Sequence, residues 1–129
     1  MKLIDTGILI DHFHGHGAAS ALINRFVAAD EQMVISVVTV TELLGGMRVG
    51  EEAQTEQLLG LFTVLDADEA VGRQAAVYLR AFRHSHRIDL GDALIAATAL
   101  VSGIELLTRN VKHYPMEDIV VTVPYERGR

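Results

Sequence analysis

The chain contains no cysteine, which excludes disulfides, thiolate zinc sites and a cysteine nucleophile. Any bound metal must therefore be held by oxygen or imidazole. Proline is scarce, with two residues in 129, and the eleven glycines are thinly spread. No interval repeats, and only residues 14–17 and the tail from Pro124 read as loose, so nothing marks an internal linker. Uninterrupted apolar runs fall far short of the roughly 20 residues a membrane span needs. The amino terminus reaches Asp5 after one lysine, without the apolar core of a signal peptide. These absences predict a soluble, cytoplasmic protein. Basic charge is lacking too: the net charge of -6 argues against binding nucleic acid by broad phosphate neutralisation. It is compatible with a nuclease whose acids are offset by cations. No Ser-His-Asp elbow, P-loop or glycine-rich dinucleotide turn is found, which sets aside serine hydrolases, NTPases and dinucleotide enzymes.

What is present is a core-forming composition, 50% apolar in a length suited to one domain over residues 1–129. Short apolar runs alternate with segments of helical period. A minimal strand ends at Asp5 and leads into a helix for which Thr6 offers an N-cap. Leu22, Ile23, Phe26 and Val27 mark a helix over 18–28, and 33–36 is a short buried strand. Residues 39–47 and 51–62 read as helices, and 63–65 as a third strand. Asp66 with Glu69 predicts a capping box for a helix burying Val71, Ala75, Tyr78, Leu79 and Phe82. Asp89 opens the next helix, whose stripe is Asp92, Ile95, Ala96 and Ala99. Strands at 104–107 and 119–123 flank a polar turn. This alternation predicts an α/β/α sandwich with a mainly parallel sheet of five strands.

Asp5, Glu42 and Asp92 each stand where an apolar run turns into a helix. In open parallel sheets the carboxyl ends of the strands share one rim, so distant acids become neighbours there. Each acid also has a plainer reading. Asp5 can cap the helix after it, Thr39-x-x-Glu42 has the form of a capping box, and Asp92 suits the positive end of a helix dipole. Three gathered acids repel one another unless a divalent ion sits among them, and all-oxygen ligation favours Mg²⁺ or Mn²⁺ over zinc. The alternately spaced His12, His14 and His16 read better as a flexible solvated loop than as a zinc site. The cations Arg80, Arg83 and Arg87, with Arg109, Lys112 and His113, could grip a phosphate backbone or simply suit a helix end.

The segments LIDTGILI at 3–10, VISVVTVTELLGG at 34–46, DLGDALIAATAL at 89–100 and LLTRNVKHY at 106–114 together resemble the PIN-domain family, most of all its VapC-type toxins. The resemblance implies a sheet in the order 3-2-1-4-5 and an Mg²⁺- or Mn²⁺-dependent ribonuclease. It also implies homodimerisation and inhibition by a small cognate antitoxin that covers the site. By the same resemblance Asp5, Glu42 and Asp92 are the metal ligands. Asn110 stands where the family usually has a further acid, and Gly7 where it more often has Asn or Ser. Thr6, Thr108 and Asn110 are then expected around the ligands, and Arg109, Lys112, Arg83 and Arg87 on the RNA, with structured RNA such as tRNA as substrate. A catalytically silent PIN-like RNA-binding or regulatory module is the alternative. A receiver- or dehalogenase-type phosphoryl-transfer domain lacks its second acid, since that position is Gly7.

Overall fold

The computed structural model describes residues 1–126. The last three residues of the tail predicted from Pro124 lie outside the described residues. Five strands are built: β1 (Lys2–Ile4), β2 (Met33–Ser36), β3 (Thr63–Leu65), β4 (Glu105–Leu107) and β5 (Val121–Thr122). They alternate with α1 (Thr6–Phe13), α2 (Gly17–Ala28), α3 (Val37–Gly46), α4 (Glu52–Leu59), α5 (Glu69–His86) and α6 (Leu90–Ser102), and a 3₁₀ turn (Val111–His113) precedes β5. The sheet has the order β3-β2-β1-β4-β5 and all four pairings are parallel. Both the α/β/α sandwich and the strand order agree with expectation.

Side chains alternate across a strand, and the core divides accordingly. Leu3 and Leu106 face a cluster with Val71, Ala75 and Tyr78 of α5 and Ile95, Ala96 and Ala99 of α6. Their neighbours Ile4 and Leu107 face the other cluster, with Ile8 and Leu9 of α1, Leu22 and Ile23 of α2, Leu43 of α3 and Leu58 of α4. β1 is thus covered on both faces and paired along both edges. Among the described residues no helix is long and apolar enough to cross a membrane.

Several helix starts differ from expectation, for one physical reason: the cap is whichever side chain reaches a free amide of the first turn. Of the two caps considered for α1, Asp5 and Thr6, the structure uses Asp5. Ser36 caps α3 by accepting from the Val38 amide at 3.0 Å, so α3 starts before Thr39, and the Thr39–Glu42 capping box does not form. Asp68, not Asp66, caps α5, accepting from Val71 N at 3.0 Å. In α2 the buried side is Ala19, Leu22 and Ile23, whereas Val27 points outward. Around the histidine cluster, His12 Nδ1 meets Ser20 Oγ at 2.8 Å, and the His16 ring lies 5.3 Å from that of Tyr125.

A carboxylate crevice at the sheet's switch point

From β1 the chain proceeds outward to β2 and β3, then returns to build β4 and β5 on β1's other side. The crevice beyond the carboxyl ends of β1 and β4 is therefore a topological switch point, where open α/β sheets bind ligands. Asp5 and Thr108 are the first residues past these two strands. The Asp5 amide donates to Leu107 O at 2.9 Å and the Thr108 amide to Thr122 O at 3.0 Å, so the sheet ladder fixes both backbones.

Asp5 is buried, with 8% exposed. Its Oδ1 accepts from the Thr6 amide at 2.8 Å and the Tyr114 hydroxyl at 3.1 Å, and its Oδ2 accepts from Thr108 Oγ1 at 2.6 Å. These donors and the charge of Arg109 favour the carboxylate, yet burial outweighs them and raises its pKa. Burial likewise pushes the Tyr114 phenol well above its ordinary value, helped by the charges of Asp5, Asp92 and Glu42. Tyr114 thus remains a donor to Asp5.

Glu42 sits on α3 at the open side of the crevice. Thr6 Oγ1 donates to Glu42 Oε1 at 2.7 Å and lies 2.8 Å from Thr39 Oγ1. A hydroxyl has one proton, so while Glu42 is ionised Thr39 must donate to Thr6 and Thr6 to Glu42. The walls of the crevice still remove enough water to raise the Glu42 pKa, and the charges of Asp5 and Asp89 raise it further. A Cβ placed on Gly91 of α6 would lie 3.5 Å from Glu42 Oε2, which puts Glu42 beside the first turn of α6.

Asp92 takes the first-turn structural role considered for it. It closes a capping box with Asp89: the Asp92 amide donates to Asp89 Oδ1 at 2.8 Å and the Asp89 amide to Asp92 Oδ2 at 3.2 Å. Its carboxylate also faces the crevice, with His113 Nδ1 3.5 Å from Oδ2. Burial pushes Asp92 up to about 6, the Asp89 charge adds to this, and His113 opposes it. Asp92 must lose its proton to hold a cation, so divalent-metal affinity is expected to weaken as pH falls through about 6. His113→Ala removes the opposing charge and should move that midpoint upward. Mn²⁺ titrations across the range check this, and a midpoint that stays or falls refutes the assignment.

Asn110 stands at the crevice edge, its amide group 3.1 Å from His113 Nδ1 and its backbone N–H on Thr108 Oγ1 at 3.0 Å. Lys112 is exposed on the 3₁₀ turn, and Arg83 and Arg87 are exposed at the end of α5. Arg109 turns inward: its Nη1 lies 3.6 Å from Asp11 Oδ1 and its side chain is 23% exposed. Sequence reasoning took His113 only as one of a basic group, and did not single out Tyr114, Asp11 or the donor role of Thr39. Tyr114 lies within the LLTRNVKHY segment, which was its available signal. Nothing in the spacing of Thr39 or Asp11 announces a partner.

The arrangement fits a divalent cation on its donor chemistry. Burial raises the pKa values of Asp5, Glu42 and Asp92; the charges of Asp5 and Asp89 raise that of Glu42 further, and the charge of Asp89 that of Asp92. Among the described residues no three His, Cys, Asp or Glu side chains already close into a cage. Mg²⁺ usually keeps several waters and binds through one or two carboxylates, so an open crevice of acids suits it better than a cage.

Residues 2–117 match the profile of the PIN domain. This chain belongs to the PIN domain family. Ribonuclease VapC10 of Mycobacterium tuberculosis is 45% identical over 119 residues, covering 90% of this chain and 87% of the relative. Ribonuclease VapC19 of the same species is 41% identical over 117 residues, covering 90% and 94%. Among solved structures, a toxin-antitoxin complex from Klebsiella pneumoniae contains a chain that superposes with a TM-score of 0.78 at 30% identity, covering 98% of this chain and 99% of that one.

Proposed function

We propose that this protein is a divalent-metal-dependent endoribonuclease and the toxin of a toxin–antitoxin pair. The observation that carries the reading is the placement of Asp5, Glu42 and Asp92 around one crevice at the switch point, with pKa values raised chiefly by burial. Its support from relatives is the VapC ribonucleases and the toxin-antitoxin complex named above.

Asp5, Glu42 and Asp92 would hold Mg²⁺ or Mn²⁺. Such an ion supplies Lewis-acid polarisation of the scissile phosphate and eases deprotonation of the attacking water. Thr108 and Tyr114 orient the Asp5 carboxylate through its two oxygens, and Thr6 orients that of Glu42. Asn110 offers an amide oxygen in place of a further acid. Lys112, Arg83 and Arg87 position RNA, needing to touch only a short exposed segment of a structured molecule such as tRNA. In-line attack by water leaves a 5′-phosphate and a 3′-hydroxyl. The natural partners are a cognate antitoxin covering the crevice and a second copy of the chain.

The test incubates the purified protein, freed of copurified partners, with total tRNA in Mg²⁺, in Mn²⁺ and in chelator, beside an Asp92→Asn control. Cleavage that needs the metal and is lost in Asp92→Asn is the expected result. Mn²⁺ binding without cleavage of any RNA would instead favour the silent RNA-binding module, the reading for which the neutral Asn110 speaks.

A further inference from the structure

Gly7 and Asp11 are four residues apart on α1, so they lie one above the other on the same face. Arg109 runs along that face. A Cβ added at Gly7 would collide with Arg109 Nε and lie 3.2 Å from Cζ and 3.3 Å from Cδ. One turn further on, Arg109 Nη1 faces Asp11 Oδ1 at 3.6 Å. Asp11 is buried with 2% exposed, and its Oδ2 accepts from the Tyr125 hydroxyl at 2.8 Å. Arg109 Nε is buried with no hydrogen-bond partner among the described residues, as expected of a group pressed on a bare glycine backbone.

The residues on either side of Arg109 belong to the crevice. Thr108 donates to Asp5 Oδ2 at 2.6 Å, and the Asn110 amide donates back to Thr108 Oγ1 at 3.0 Å. Whatever fastens Arg109 therefore fastens this loop against the first acid. The Arg109 side chain is 23% exposed and faces Asp11, whereas Lys112, three residues on, is exposed.

We propose that Arg109 is a positioning residue: seated over Gly7 and paired with Asp11, it clamps the loop after β4 onto α1 and holds Thr108 on Asp5, instead of gripping RNA. The absence of a side chain at position 7 then gives the arginine its seat, because a Cβ there forces it to shift. The metal and RNA parts of the proposal rest on the ribonuclease reading; the clamp itself does not.

The test compares Gly7→Ala, Arg109→Ala and the double variant with the wild type in three measurements. The first is hydrogen exchange at the Asn110 amide, with amides of α5 and α6 as the control for global folding. The second is Mn²⁺ binding, read from the electron paramagnetic resonance of free Mn²⁺. The third is the salt dependence of binding a fluorescein-labelled single-stranded RNA in chelator. Each single variant is expected to speed exchange at Asn110 about tenfold and to weaken Mn²⁺ binding by about tenfold, the scale for loss of an orienting partner. The double variant should be no worse than either single, because both break one linkage. The RNA salt slope should not change. A slope reduced by roughly 0.7, the signature of one lost phosphate contact on a single strand, with Asn110 exchange unaltered, would overturn the proposal. Additive losses in the double variant would overturn it as well. Gly7→Ala keeps both charges, so it carries the test if Arg109→Ala leaves buried Asp11 unable to fold. If the wild type binds neither Mn²⁺ nor RNA, the ribonuclease reading fails, while exchange at Asn110 still decides the clamp.

Discussion

Asp5→Asn is expected to abolish divalent-metal binding and, in the same protein, to raise the stability of the metal-free fold. The two effects share a cause. Asp5 is buried and its pKa is raised because lost hydration outweighs its hydrogen bonds. An acid whose folded pKa exceeds its unfolded one binds protons better when folded, so metal-free stability falls as pH rises from the unfolded value through the folded one. Above that window wild-type Asp5 carries the whole penalty and the amide carries none. Asparagine also fits the partners: its oxygen can keep the Thr6 amide and the Tyr114 hydroxyl, and its NH₂ can donate to Thr108 Oγ1, which faces Oδ2 in the wild type. The expected gain is about 1 kcal/mol at neutral pH, within the range typical of relieving a functional strain. It should disappear at acidic pH, where Asp5 itself is neutral. Mn²⁺ affinity should fall by at least about a hundredfold, because losing the charge removes more than the misorientation of a ligand does. Urea unfolding in chelator, repeated at neutral and acidic pH, measures the first effect and Mn²⁺ titration the second. An Asp5→Asn protein less stable than the wild type at neutral pH would mean that its hydrogen bonds outweigh its burial.

Leu3→Ala is expected to remove a large share of the folding free energy. Leu3 is fully buried on β1, which pairs with β2 on one side and β4 on the other. Its side chain enters the cluster beneath α5 and α6, where neighbours on rigid elements cannot collapse into the space left behind. Such truncations cost about 2–5 kcal/mol, against a total of roughly 5–15 kcal/mol for a domain of this kind. Val64→Ala is the comparison: β3 is an edge strand and Val64 is 41% exposed, so its cost should stay within about 0.5 kcal/mol. Urea midpoints of the two variants, at equal m-values, check the difference. Equal costs at both positions would contradict the layered core.

The likeness to VapC ribonucleases gives the stability prediction for Asp5 a wider sense. A site that gathers acids out of water is expensive until a cation arrives, so metal binding and folding should be linked in this protein. The same cost explains why Thr6, Thr39, Thr108 and Tyr114 surround the acids with donors: each hydroxyl recovers part of the lost hydration without adding charge.

The sequence by itself determined the alternation of strands and helices, the parallel sandwich and the positions of Asp5 and Asp92 at element ends, whereas Glu42, expected in the first turn of its helix, lies inside α3. Period and capping chemistry are local, and the strand-end rule carries such acids to a shared rim whatever the details of packing. Even locally, competing caps misled: Asp66 and Thr39 have capping chemistry, and only the backbone path chose Asp68 and Ser36 instead. The tertiary structure alone decided the rest. Thr108 and Tyr114 reach Asp5 across 103 and 109 residues of chain, and Arg109 lies over Gly7 and Asp11 from the loop after the neighbouring strand β4. The sequence presents Arg109 as one more cation in a basic segment. Its inward turn depends on where its side chain points once β1 and β4 are paired, and no spacing along one chain encodes that direction.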